Sequence, residues 1–128
     1  MLGDKDKVYL PFAACTFDLV YAFDTFVHLD QRTLFRYLIE CARVLKLGGL
    51  LTLHVASHEK ENGWLRFEES VRSGITQGKF GSFEYIDSAS VRRMAARAGF
   101  AYCQDSLAYP PGNFYYDRDL VCMMRKER

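Results

Sequence analysis

Apolar and polar positions along residues 10–49 (LPFAACTFDLVYAFDTFVHLDQRTLFRYLIECARVLKLGG) fall into two patterns joined by a short polar loop. Residues 17–21 are apolar except for Asp18, a short run bounded by polar residues that suits a strand buried on both faces, as in a parallel sheet. Residues 24–30 then form the loop leaving that strand's carboxyl end, where open α/β sheets bind ligands. Asp30 stands where an N-cap belongs, and Leu34, Phe35, Leu38, Ile39, Ala42 and Leu45 follow at three- and four-residue steps. This spacing predicts an amphipathic helix over residues 31–46. Lys46 complements its negative end, and Gly48 and Gly49 offer the positive φ on which helices stop.

The same reasoning continues down the chain. Residues 50–56 run apolar apart from Thr52 and His54 and read as the next parallel strand. Trp64, Phe67 and Val71 repeat at helical spacing within residues 62–73, a face expected to lie in the core. Residues 73–83 contain three glycines and two phenylalanines with no clear period, and fit either a lid over a site or a surface loop. Ser88 is a second candidate N-cap, before Val91, Met94, Ala95 and Ala98 and a closing Gly99. Two strands follow, over residues 100–108 and 119–125, with YPPGN (residues 109–113) in the connection. Having no helix between them, they should pair antiparallel. No repeat, linker or low-complexity tract divides the chain, so residues 1–128 read as one domain.

LPF, FDLV after a short spacer, VHLD, and then ARVLKLGG before a β-rich run resemble the second half of a class I S-adenosylmethionine (SAM) dependent methyltransferase domain. The resemblance is close over residues 4–57 and loose over residues 83–124. It implies an α/β fold: an incomplete Rossmann-like sheet of strand-helix-strand units, with helices packed on it and an antiparallel strand pair at its C-terminal end. It also implies SAM as cofactor and methyl transfer to a small-molecule acceptor. The family's glycine-rich loop of the E/D-x-G-x-G-x-G type has no counterpart in this sequence, so the resemblance covers a C-terminal half only. In the family an acidic residue four positions before the LPF leucine accepts from the adenine amino group, beside a backbone amide. That implies Asp6, with Lys7 as the amide donor and Asp4 as the second choice, although a solvated acidic turn explains these residues equally. Phe23 sits where the family flanks its cofactor, or is simply core.

Methyl transfer is an in-line displacement that needs alignment and exclusion of water more than reactive side chains. A hydroxyl or ammonium acceptor also needs a base, and histidine suits that task. His28 is the leading catalytic candidate, with Asp24 as an orienting or basic carboxylate; the competing reading has His28 bonding the loop or the helix start, and Asp24 as a turn residue. Tyr109, Phe114, Tyr115 and Tyr116 could line an acceptor pocket or pack a strand.

Composition narrows the partners. With 49% apolar and 15% aromatic residues, the 128-residue chain is long enough for a real core. A net charge of +1 provides no global field for nucleic acid or an anionic membrane. No apolar run reaches the roughly 18 residues of a membrane span. The four cysteines lack CxxC spacing, which fits reduced thiols in a cytoplasmic protein. His54, His58 and Glu59 do not make a metal site, since His-x-x-x-His shares a face only on a helix. Lacking its neighbour, the strand after LPF becomes a sheet edge with uncovered apolar groups. The chain is then a fragment of a longer product, a half-domain completed by self-association or a partner chain, or a noncatalytic remnant. The two functional expectations are a methyltransferase half that is inactive alone and a noncatalytic module that binds a partner along its open edge.

Overall fold

The computed structural model describes residues 8–73, 83–108 and 118–128. Strand β1 (Phe17–Ala22) leads through a short 3-10 turn (Phe26–His28) into helix α1 (Gln31–Val44) and strand β2 (Leu45–Val55). Helix α2 (Glu61–Arg72), helix α3 (Ser88–Ala98), strand β3 (Phe100–Asp105) and strand β4 (Leu120–Lys126) follow. The sheet order is β1-β2-β4-β3, with β1 parallel to β2 and β4 antiparallel to both its neighbours. Both the parallel pair and the antiparallel C-terminal pair agree with the sequence pattern.

Local chemistry explains most boundaries. The Asp30 carboxylate accepts from the Thr33 amide at 2.8 Å and caps α1. The α1 stripe buries Leu34, Leu38, Cys41 and Ala42 against the sheet, while Ile39 is exposed. Each fully buried leucine contributes about 1.5–3 kcal/mol. α1 ends at Val44, two residues earlier than the glycine signal suggests, because β2 begins at once. Gly48, with φ +81°, instead sits in a bulge where the register jumps from Phe17 opposite Leu45 to Leu19 opposite Leu50. The cap of α3 is Asp87, whose carboxylate accepts from the Ser90 amide at 2.6 Å, and Ser88 is the first helical residue. Gly99, at φ +104°, closes α3 as expected.

α1 and α3 pack together on one face of the sheet, over Leu51, Leu53, Val55, Leu120, Cys122 and Met124. The opposite face carries Leu19, Tyr21, Thr52 and Met123 by the two-residue alternation, and it is largely uncovered. β1 is therefore an edge strand, with Leu19 54% and Tyr21 73% exposed, rather than a strand buried on both faces. The LPF segment is clamped to α1: Arg43 donates to the Leu10 and Phe12 carbonyls, and Glu40 accepts from the Leu10 amide at 2.7 Å.

α2 departs from expectation. Trp64 and Val71 are 41% and 65% exposed, and Gly63 is its one residue buried below the surface. A Cβ on Gly63 would lie 2.1 Å from the Ser57 carbonyl oxygen and 2.4 Å from that of Arg118. The helix thus docks through bare backbone at its first turn, with Trp64 and Val71 at the surface and Phe67 half-buried against His58 and Tyr85.

Candidate functional site

The carboxyl end of β1 delivers Phe23 and Asp24, and the carboxyl end of β2 delivers His54 beside them. Alternation puts His54 on the sheet face that α1 and α3 leave uncovered. Its imidazole is nonetheless fully buried, because the Phe23 ring stacks on it at 4.4 Å and the N-terminal approach to β4 closes over it. The Asp24 amide donates to Nδ1 at 3.0 Å. That bond leaves the ring proton on Nε2, which donates to Asp119 Oδ2 at 2.7 Å. Asp24 itself has φ +58°, a left-handed conformation uncommon outside glycine, and its carboxylate is mostly solvent-exposed. The His54 ring holds that unusual turn in place.

Asp119 is the buried centre of the cluster. Oδ1 accepts from Arg66 Nη2 at 2.5 Å and Arg118 Nε at 3.1 Å; Oδ2 accepts from His54 and from Arg118 Nη2 at 2.8 Å. Burial pushes its pKa up, but the His54 and Arg118 bonds and the charges of Arg66 and Arg118 outweigh that and hold it at about 2, below the ordinary 3.8. Arg66, from α2, also donates from Nε to the Tyr85 hydroxyl at 3.2 Å and lies 4.1 Å over the Phe83 ring.

Of the residues expected from sequence, Phe23 and Asp24 come together at the strand end. His28 ends the 3-10 turn, exposed to solvent, and its ring stacks on Phe83 at 5.1 Å. Phe83 thus touches both His28 and Arg66. Asp4, Asp6 and Lys7 lie outside the described residues, as do Tyr109, Phe114, Tyr115, Tyr116 and nearly all of the glycine-rich segment. Among the described residues no group of three or more His, Cys, Asp or Glu is arranged to hold a metal ion. None of their helices is long and apolar enough to cross a membrane. Sequence reasoning missed Asp119 and Arg66. The available signal was His54 itself, a polar side chain inside an apolar strand, which requires a polar partner wherever it is buried.

Beside Phe23 runs a groove of about 440 Å³, lined by Val20, Tyr21, Ala22, Thr25, Phe26 and Tyr37 among others. Its walls are apolar. The Phe23 ring, 40% exposed, forms part of the groove's wall.

A sheet of this order, with a site at the carboxyl ends of its parallel pair, defines an α/β fold of the class I methyltransferase kind. Residues 3–53 match the family model described as a methyltransferase domain. Among solved structures, a SAM-dependent methyltransferase from Thermotoga maritima superposes with a TM-score of 0.65 at 21% identity, over 92% of this chain and 60% of its own. One from Mesorhizobium loti gives 0.65 at 15% identity, over 97% and 67%. The Haloferax volcanii complex between the Trm112 methyltransferase activator and a protein assigned as a methyltransferase gives 0.64 at 18%, over 100% and 60%. The chain has the fold of the class I SAM-dependent methyltransferases, and it spans about three fifths of the Thermotoga maritima and Haloferax volcanii relatives and two thirds of the Mesorhizobium loti one. No curated protein matches it.

Proposed function

We propose that residues 1–128 are a single partial methyltransferase-like domain, the C-terminal half of a cytoplasmic SAM-dependent enzyme that methylates a small molecule. The observation that carries this reading is the strand-end turn, in which Phe23 and a left-handed Asp24 are braced by buried His54 at a ligand-binding position of the fold. Bound SAM supplies an electrophilic methyl group. Phe23 flanks the cofactor, and Asp6 and Lys7 are assigned its adenine by resemblance. Asp24 and His28 are the candidates to take the acceptor's proton, Asp24 from the strand tip and His28 from the exposed end of the 3-10 turn.

The sequence has no counterpart of the family's glycine-rich cofactor loop, so the isolated chain should bind SAM weakly or not at all. Isothermal calorimetry on these 128 residues is expected to show no saturation in the micromolar range; tight, stoichiometric binding overturns the half-site reading.

A second reading has its own support. Leu19 and Tyr21 on the open β1 edge, beside the apolar groove, suit a noncatalytic module that takes a partner chain or a second copy along the sheet. One of the solved relatives was itself determined with an activator protein. The genomic sequence upstream of the Met1 codon separates the readings. An in-frame acidic, glycine-rich motif favours the enzyme; an in-frame stop followed by a start signal favours the module.

A further inference from the structure

Arg66 has a buried donor that the described residues leave unused. Its guanidinium spends Nε on Tyr85 and Nη2 on Asp119, while Nη1 is buried without a hydrogen-bond partner among the described residues. Asp119 cannot serve it, because its two oxygens already take four donors from Arg66, Arg118 and His54. That single carboxylate is also shared between two guanidiniums. A buried guanidinium nitrogen without an acceptor is costly and uncommon, and an acceptor reaching it would remove that cost. The Phe83 ring lies over the guanidinium, 4.1 Å from its carbon, with the Tyr85 ring at 5.5 Å, and the same Phe83 ring stacks on candidate base His28.

We propose that Arg66 Nη1 is the anchor for an acidic group of the methyl acceptor, a carboxylate or a phosphate, and that Phe83 fills this place until the acceptor displaces it. The inference deepens the methyltransferase reading and rests on it for the word acceptor. Guanidinium is suited to the role because its remaining N–H groups point in the plane of the fork, where an oxyanion receives a charge-assisted bond. The Asp119 and Tyr85 bonds fix the fork's orientation in advance, so little side-chain freedom is lost when the anion docks. An acidic group held there lies against the position of Phe83, with the rest of the acceptor directed toward His28.

The test is direct anion binding by the chain, read by calorimetry and by protection against thermal unfolding, with no cofactor present. Its outcome is therefore independent of whether methyl transfer occurs. The probes are benzoate, its neutral counterpart benzamide, and inorganic phosphate. Benzoate or phosphate is expected to bind at least about tenfold more tightly than benzamide, and whichever anion binds better identifies the acidic group. Arg66→Lys should lower that affinity about tenfold, since an ammonium cannot keep both the Asp119 bond and the fork. Phe83→Ala should raise it severalfold by uncovering Nη1, a gain that a misfolded variant cannot imitate. Equal binding of benzoate and benzamide with no preference for phosphate, or unchanged anion affinity in Phe83→Ala, overturns the proposal.

Discussion

At the scale of single residues, Asp119 is a buried charge held by His54, Arg66 and Arg118. The folded-state pKa of about 2 lies below the ordinary 3.8, so ionised Asp119 favours the folded state at any pH above the ordinary value. This stability is lost as pH falls from about 4 through about 2, and the two values correspond to about 2 kcal/mol. Urea unfolding of the native chain and of Asp119→Asn across acidic pH should show their stabilities converging over that window. A constant gap would mean that Asp119 is not held ionised by its partners. At neutral pH the variant should be less stable by about 3–5 kcal/mol, because Arg66 and Arg118 lose their shared carboxylate. The effect reaches the candidate site through His54, whose other nitrogen holds the Asp24 amide.

At the scale of elements, what could be read from sequence depended on how local the cause was. The Asp30 cap, the α1 stripe, the Gly99 stop and the antiparallel last pair follow from residues within a few positions of each other. Asp87 took the cap from Ser88 because either side chain could reach the first turn, and sequence alone does not rank their rotamers. The surface position of Trp64 and Val71 was not legible, since it depends on where two distant carbonyls, those of Ser57 and Arg118, meet Gly63. The His54–Asp119 bond spans 65 residues and was equally hidden. Gly63→Ala tests the docking of α2: with carbonyl oxygens 2.1 and 2.4 Å from the new methyl group, the helix must shift. The expected loss is about 3 kcal/mol or more in chemical denaturation, opposite in sign to the roughly 1 kcal/mol that alanine gains over glycine at a solvent-facing helix position. Since Arg66 lies on the same helix, the Arg66–Asp119 contact should loosen with it. A neutral result would show that α2 is not seated on its backbone.

At the scale of the whole molecule, the two edges of the sheet differ. β3 at one edge exposes Cys103 and Gln104, whereas β1 exposes the large apolar Leu19 and Tyr21. The 128-residue chain in solution should therefore associate as its concentration rises, and Tyr21→Lys should shift it toward monomer without loss of thermal stability. Sedimentation velocity of the two proteins over a concentration series checks this; a native chain that stays monomeric throughout would leave the edge without a role in association.

The strand order also bears on biogenesis. β4 lies between β2 and β3, yet it is the last of the four to leave the ribosome. Until it arrives, β2 lacks its partner on one side and β3 has no partner at all, so the nascent chain carries α1, α3 and their apolar stripes over an unfinished sheet. Asp119 arrives with the same strand, and the polar partner of His54 is among the last groups in place. Whatever protects the chain during synthesis must therefore act until β4 has threaded into the middle of the sheet, and the strand-end turn acquires its brace only then.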